Sequence, residues 1–394
     1  MTHRRCGSRA LVVGVAIAVL AGCQPTIGGG TTRRINEETL ATGPPSVSAD
    51  GRFVTYIAVP PDAPEGAQFT QVFLWDRRTA RTTQLTDGDN SSHYPSVSAH
   101  GEVVTFQSGA ADLVPDDTNH TTDVFVWERA TGAVRGISHA ASDSGGGSPA
   151  MTDDGRYVSF HSWGDLVPDD AYSGGGTYVW DRITGELEFV PPGSCHGAGN
   201  TLSQDGRYAT YSTAGGWAGE DPDAGGDVYL CDRVEGTTTR VTAGNGASFV
   251  PVISGDGRYV AFTSRATDLV PGDTNGAADV FVWSRATGVI ERISDLRPFK
   301  YDIYYATQPR ISDDGRVVVY ATWADGAAWA GGGYDVFRWD RATDATSTIT
   351  DGNSMIELPA MSGDGRIVAY QSGESDLVPD GSPGLYLWTA ARRR

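Results

Sequence analysis

Residues 254–262 read Ser-Gly-Asp-Gly-Arg-Tyr-Val-Ala-Phe (SGDGRYVAF), and the same nine-residue pattern occurs six more times. It recurs as SADGRFVTY (48–56), SAHGEVVTF (98–106), TDDGRYVSF (152–160), SQDGRYATY (203–211), SDDGRVVVY (312–320) and SGDGRIVAY (362–370). The glycines, Gly51, Gly101, Gly155, Gly206, Gly257, Gly315 and Gly365, are spaced by 50, 54, 51, 51, 58 and 50 residues. Two longer segments, 112–132 (DLVPDDTNHTTDVFVWERATG) and 268–288 (DLVPGDTNGAADVFVWSRATG), lie 156 residues apart, which is three repeats. The chain is a seven-member array, not a duplicated domain.

Each repeat reads as four strands. A Pro-x-x-Ser strand enters the Asp-Gly turn, where glycine supplies the positive φ of a tight primed hairpin turn. A second, alternating strand follows, such as Tyr259-Val260-Ala261-Phe262. After a longer loop comes a third strand, Asp-Val-Phe-Val-Trp, and an Arg-Ala-Thr-Gly turn leads to a fourth, ending at Leu85-Thr86 or Ile293-Ser294. A sheet of this size cannot bury its two faces alone, which is the situation of a propeller blade. Composition agrees: 51 Gly and 20 Pro demand many turns, while 10 Trp and 16 Tyr supply a real core. The fold class is all-β, a seven-bladed β-propeller of four-stranded antiparallel blades over residues 31–394.

Closure follows from counting strands. The last repeat stops after its third strand, at Gly384-Leu385-Tyr386-Leu387-Trp388, while an orphan strand, Arg33-Arg34-Ile35-Asn36, precedes the first. Ile35 lies 16 residues before Gly51, as Leu85 lies 16 before Gly101. The N-terminal strand is therefore expected to complete the last blade and cover an otherwise open edge.

These motifs (Pro-x-x-Ser-x-Asp-Gly-Arg, an apolar strand, then Asp-x-Phe-x-Trp-Asp) resemble the WD40-like, PD40-type repeats of the TolB-like propeller family. The resemblance covers nearly the whole chain after the leader and implies the fold; propellers host unrelated activities. The family's best-known member carries an α/β domain ahead of its propeller, for which residues 23–30 leave no room. The resemblance also implies a second possibility, because some TolB-like propellers are metal-dependent lyases of acidic oligosaccharides with histidine ligands at the mouth.

Residues 1–22 read as a lipoprotein signal peptide. Arg4, Arg5 and Arg9 precede an apolar run, Leu11–Leu20, too short for a bilayer span and suited to a signal segment. Leu20-Ala21-Gly22-Cys23 then matches a lipobox, with Cys23 as the lipid-modified (palmitate-bearing) first residue and 23–30 as a flexible tether. The competing readings are an ordinary cleavage site beside a chance cysteine, or a buried helix. The expected location is the outer face of a bacterial membrane, held through that anchor. Arg4-Arg5 lacks the flanks of a twin-arginine signal, which leaves the export route open. Loss of the three leader arginines takes the net charge from −19 to −22, which disfavours nucleic acid. Cys195 and Cys231, the only other cysteines after Cys23, form no disulfide framework.

The loops joining blades and those between second and third strands share one face, here called the upper face. Asp117, Asn119 and Asp123 align with Asp273, Asn275 and Asp279, and their alternating oxygens resemble half of a Ca²⁺ loop without its terminal glutamate. Turn capping by Asp and Asn is the competing reading. Trp75, Trp127, Trp180, Trp283, Trp339 and Trp388 share one third-strand position and read as packing. Trp163, Trp217, Trp323 and Trp329 fall near upper loops, as a sugar or peptide platform or as loop anchors. His93, His120, His139, His161 and His196 also map to that face, as convergent metal ligands or as a scatter of exposed imidazoles. The longest joining loop, 295–308, sets Phe299, Tyr301, Tyr304 and Tyr305 around Lys300, the only lysine. No Gly-x-Ser-x-Gly elbow occurs, and no catalytic domain is expected after the propeller. The favoured reading is a monomeric, non-catalytic scaffold that binds a protein, peptide or glycan. The alternative is a metal-dependent carbohydrate enzyme of the propeller lyase type.

Overall fold

The computed structural model describes residues 30–35, 43–63, 69–119, 121–138, 145–164, 166–167, 176–190, 201–212, 226–294, 309–323, 334–350, 358–372 and 384–391. They form seven four-stranded antiparallel sheets, each taken from one stretch of chain except the last. Blade 5 is typical: Ser248–Ile253 inside, then Tyr259–Ser264 and Asp279–Ser284, with Ile290–Arg292 outside. The inner strand of every blade packs on the inner strands of both neighbours, and that of blade 7 returns to blade 1. The ring is closed. Among the described residues no helix is long and apolar enough to cross a membrane.

Blades bury each other's faces. In blade 1 the second strand, Phe53–Ala58, is buried throughout, whereas the outer strand Arg81–Gln84 is exposed throughout. One apolar cluster joins Val54, Tyr56, Phe73 and Trp75 of blade 1 to Ile367, Ala369, Leu385 and Leu387 of blade 7. In all seven blades an aromatic of the second strand stacks on its cross-strand partner in the third, from Tyr56–Phe73 at 5.5 Å to Tyr370–Tyr386 at 5.9 Å. The six periodic tryptophans are 1–6 % exposed and pack as expected. Blade 4 carries Cys231 there instead, a buried free thiol that burial pushes above the ordinary thiol range.

The Asp-Gly turn differs from the primed turn expected. Only Gly51 takes positive φ (67°), as the fourth residue of the turn, and its N–H donates to the Ser48 carbonyl at 2.8 Å. The geometry is an ordinary turn followed by a left-handed glycine. Side chains enforce it: Ser48 Oγ donates to Asp50 Oδ1 at 2.6 Å, and Asp50 Oδ1 accepts the Arg52 N–H at 2.9 Å. Arg52 then pairs both ends of its fork with Asp76, at 3.0 and 2.7 Å, tying the turn to the end of the third strand. Arg156–Asp181, Arg207–Asp232 and Arg316–Asp340 repeat that pairing. Within the blade each letter of Ser-x-Asp-Gly-Arg thus has a bond to make, except x, whose bonds run to other blades.

Position x builds the floor of the ring. It is Ala49, Ala99, Asp153, Gln204, Gly255, Asp313 and Gly363 in turn. Backbone bonds link these turns from blade to blade: Asp50 N to Ala99 O (3.2 Å), Ala99 N to Asp153 O (2.7 Å) and Gln204 N to Gly255 O (2.9 Å). Asp256 N to Asp313 O (2.9 Å), Asp313 N to Gly363 O (2.8 Å) and Gly363 N to Ala49 O (3.1 Å) complete the series. Between blades 3 and 4 a side chain substitutes, Gln204 Nε2 donating to Asp153 Oδ2 at 2.5 Å. A Cβ on Gly363 would fall 2.0 Å from Asp313 Oδ2, so that carboxylate lies flat on the glycine. Burial, then the charge of Asp153, pushes Asp313 up to about 7; burial also raises Asp153.

The N-terminal strand completes blade 7 as expected, shifted slightly towards the N-terminus. It spans Gly30–Arg34 and pairs antiparallel with Gly384–Ala390, setting Arg33 opposite Leu387 and Arg34 opposite Tyr386. Ile35 extends the ladder by donating to the Leu385 carbonyl at 2.9 Å. Asn36 lies outside the described residues. Arg33 reaches over the Trp75 ring of blade 1 at 5.2 Å, so the closing strand also holds the first blade.

Candidate functional site

The inner strands carry the strain. In blades 2, 3 and 5 they are six residues long and break register at one place, between His93 and Ser96, Gly147 and Ala150, and Phe249 and Val252. Tyr94, Ser148 and Val250 sit inside those breaks with φ of 49°, 51° and 50°. Left-handed backbone is unfavourable for side-chain-bearing residues and especially for β-branched valine. Each of the three lies seven residues before its turn glycine, at the upper end of the strand. Blade-to-blade contacts hold the bulges: Gln107 Oε1 accepts the Ser148 N–H at 2.8 Å, and a Cβ on Gly147 would meet the same oxygen at 2.8 Å. A side chain there would have to push the Gln107 amide aside.

Aromatic and imidazole groups gather at this end of blades 1 to 3. His93 stands opposite Gln107, and His161 stands opposite Gly147. Gln107 and Gly147 meet across the blade 2–blade 3 junction, so the two histidines belong to one row. Burial lowers the His93 pKa, which keeps its ring neutral. His161 is buried and contacts Trp163 edge-on, with ring centroids 4.6 Å apart. Trp163 itself is 56 % exposed, and Tyr94 and Phe69 are about half exposed. Deeper by two residues on the inner strand of blade 6, Arg310 donates to the Pro309 carbonyl at 3.1 Å. Burial lowers its pKa to about 10, and among the described residues no charged partner offsets that burial. The mouth thus combines exposed rings, two imidazoles, of which that of His93 is held neutral by burial, and a guanidinium without a carboxylate partner among the described residues.

Other expected residues are placed as follows. Trp323 ends the second strand of blade 6, with its backbone opposite Tyr334. In blade 5, Asn275 Nδ2 donates to Asp279 Oδ2 at 2.6 Å and Asn275 Oδ1 accepts the Ala277 N–H at 2.9 Å. Arg292 there bridges Asp273 at 3.0 Å and Asp279 at 3.5 Å. In blade 2, Asn119 Oδ1 accepts both the N–H and the hydroxyl of Thr121, at 2.9 and 3.0 Å. Both asparagines therefore do the turn chemistry expected of them. Among the described residues no group of three or more His, Cys, Asp or Glu forms a metal-binding cluster. His120, His139, His196, Trp217, Trp329, Phe299, Tyr301, Tyr304, Tyr305, Cys195 and Cys23 lie outside the described residues.

Two features escaped the sequence reading. The floor carboxylates had a signal: Asp153, Gln204 and Asp313 break an otherwise Ala/Gly position x. Arg310 had one too, as a charge on a strand otherwise made of small or apolar residues.

No family model and no curated protein matches the chain. Solved structures do. An oligogalacturonate lyase from Vibrio parahaemolyticus is 12 % identical at a TM-score of 0.64, over 92 % of this chain and 94 % of its own. An oligogalacturonate lyase in complex with manganese is 13 % identical at 0.59, over 92 % and 93 %. The β-propeller domain of the Trilobed protease from Pyrococcus furiosus, of open velcro topology, is 13 % identical at 0.59, over 91 % and 95 %. At such identity these likenesses show the fold alone. The present ring is closed by its N-terminal strand, in contrast to the open topology of the last.

Proposed function

We propose that this protein is an exported, lipid-anchored propeller that binds a glycan or peptide at its upper mouth and catalyses no reaction on it. The observation that carries the reading is the set of three left-handed bulges, Tyr94, Ser148 and Val250, at equivalent positions of the mouth. Strain of this kind persists where surrounding structure over-determines it, and it concentrates at ligand sites. Trp163, Tyr94 and Phe69 offer flat apolar rims beside it, suited to a sugar face or an aromatic side chain. Arg310 adds a preference for an anionic group, because a desolvated cation without a counter-charge gains by meeting one. Anchoring at Cys23 accords with the lipobox that precedes it.

A panel of neutral and acidic oligosaccharides and short peptides, titrated against intrinsic tryptophan fluorescence, tests the reading. Saturable binding should be weakened at least tenfold by Trp163→Ala and Tyr94→Ala, with melting unchanged. Binding indifferent to both substitutions would overturn it.

A second reading, a metal-dependent lyase, draws on His93 and His161 standing in one row across adjacent blades. Incubation of oligogalacturonate with the protein and Mn²⁺ separates the two. Release of an unsaturated product that is lost in His161→Ala would replace the scaffold with the enzyme.

A further inference from the structure

Four blades carry an aspartate at the head of the third strand, within one residue of its start: Asp123, Asp227, Asp279 and Asp335. In each, one carboxylate oxygen accepts the hydroxyl that closes the fourth strand, from Ser138 (2.7 Å), Thr242 (2.8 Å), Ser294 (2.7 Å) or Thr350 (3.0 Å). That hydroxyl accepts the next backbone N–H of the third strand, for example Val124 at 2.8 Å and Val280 at 2.8 Å. This half of the arrangement is a structural bolt common to all four blades.

The other half differs. On the fourth strand, the residue opposite the third-strand aromatic is Arg240 in blade 4 and Arg292 in blade 5. Arg240 pairs with Asp227, and Arg292 pairs with Asp279 and reaches Asp273 in the loop above. In blade 2 that position, opposite Phe125, is Gly136. The loop above it is otherwise conserved in form: Asp117 and Asp123 stand six residues apart, as do Asp273 and Asp279, with an asparagine between each pair. The guanidinium is gone and its carboxylates remain.

Asp117 shows the consequence. It is 6 % exposed, and both of its carboxylate oxygens are buried without a hydrogen-bond partner. Its counterpart Asp273 is as deep, at 5 % exposed, but has Arg292 at 3.0 Å. A buried carboxylate is costly unless a cation or hydrogen bonds answer it. Blade 5 carries the answering cation in its own sequence, and blade 2 carries none at that position.

We propose that blade 2 binds one divalent cation of the calcium class, held by Asp117 together with Asp123, at the place the Arg292 side chain fills in blade 5. The donors are carboxylate oxygens, which favour Ca²⁺ over the softer metals that seek nitrogen or sulfur. Two carboxylates are a small charge count for such a site, so affinity belongs in the range of extracellular modules, about 10⁻⁴–10⁻³ M. The blade 5 loop, despite its near-identical sequence, binds no cation because Arg292 already neutralises it. The inference is independent of what the upper mouth recognises.

Calorimetric titration of CaCl₂ into the chelator-treated, full mature chain tests it, with MgCl₂ as comparison. One Ca²⁺ per chain is expected, together with a calcium-dependent rise in melting temperature. Asp117→Asn should abolish both. Gly136→Arg should also abolish both while leaving a folded protein, since it installs in blade 2 the residue blade 5 already uses. Arg292→Gly should raise the stoichiometry to two. No calcium binding at millimolar concentration, or binding that survives Asp117→Asn and Gly136→Arg, would overturn the proposal.

Discussion

Replacing Arg33 with proline attacks ring closure at one bond. Ile35 donates to the Leu385 carbonyl, so alternation in an antiparallel ladder makes Arg33 and Leu387 the next bonded pair. Proline there removes the donor and leaves the Leu387 carbonyl, on a residue 0 % exposed, without its partner. An unsatisfied buried acceptor costs about 1–3 kcal/mol. Loss of the Arg33 guanidinium from the Trp75 ring adds about 0.5–1 kcal/mol. The total is about 3 kcal/mol. With a melting entropy near 2 cal/mol/K per residue, a ring of this length should lose about 4 °C. Thr32→Pro is the control, because the Thr32 N–H points away from the ladder to the open edge, where proline is tolerated; it should cost about 1 kcal/mol or less. Calorimetry and urea midpoints on the two variants read the difference. Equal shifts, or no shift for Arg33→Pro, would mean that something other than this ladder closes the ring. Truncation extends the test: a chain starting at Gly43 bares the strand Gly384–Ala390 and should aggregate, whereas one starting at Gly30 should match the mature protein.

Cys23→Ser should release the protein from membrane fractions or block its processing, and unchanged fractionation and mass would refute the anchor. Asp313 makes stability depend on pH in a stated direction. Its folded pKa, about 7, lies above its ordinary value of 3.8, so the folded state holds the extra proton between those values. Stability should therefore be highest near pH 4–5 and fall as pH rises through 7, and Asp313→Asn should flatten that slope in urea midpoints measured at pH 5 and 8. Asp76, held well below the usual carboxylate range by Arg52, acts oppositely: its contribution is present above about pH 4 and is lost in acid. Gly206→Ala and Gly288→Ala should separate strain from crowding. Both glycines have positive φ (68° and 69°), but a Cβ on Gly206 meets Tyr157 at 2.3 Å and one on Gly288 meets nothing within 4 Å. Gly288→Ala should cost about 1 kcal/mol and Gly206→Ala about 2–4 kcal/mol; equal costs would show that Tyr157 yields freely.

What the sequence determined by itself was whatever repeats. Seven turn motifs near a 50-residue period specify seven blades, because each local bond in Ser-x-Asp-Gly-Arg is made within its own blade and is legible from its own letters. The periodic tryptophans and the orphan strand before Gly51 belong to the same class, since register within a repeated unit is arithmetic. Tertiary structure decided whatever depends on distant segments of the chain meeting. The turn is an exception on the local side: Ser48 N–H donates to the Phe53 carbonyl, so residues 49–52 form a four-residue loop in place of a two-residue primed turn, and Asp50 fixes it by accepting from Ser48 and Arg52. The floor bond between Gln204 and Asp153 joins residues 51 apart in sequence, and no local pattern encodes which x residues face one another. The two near-identical Asp loops, indistinguishable in their own stretch, differ because Arg292 and Gly136 arrive from another strand. Repetition is a one-dimensional property and survives in sequence; electrostatic partnership is a three-dimensional one, set only when the ring has closed.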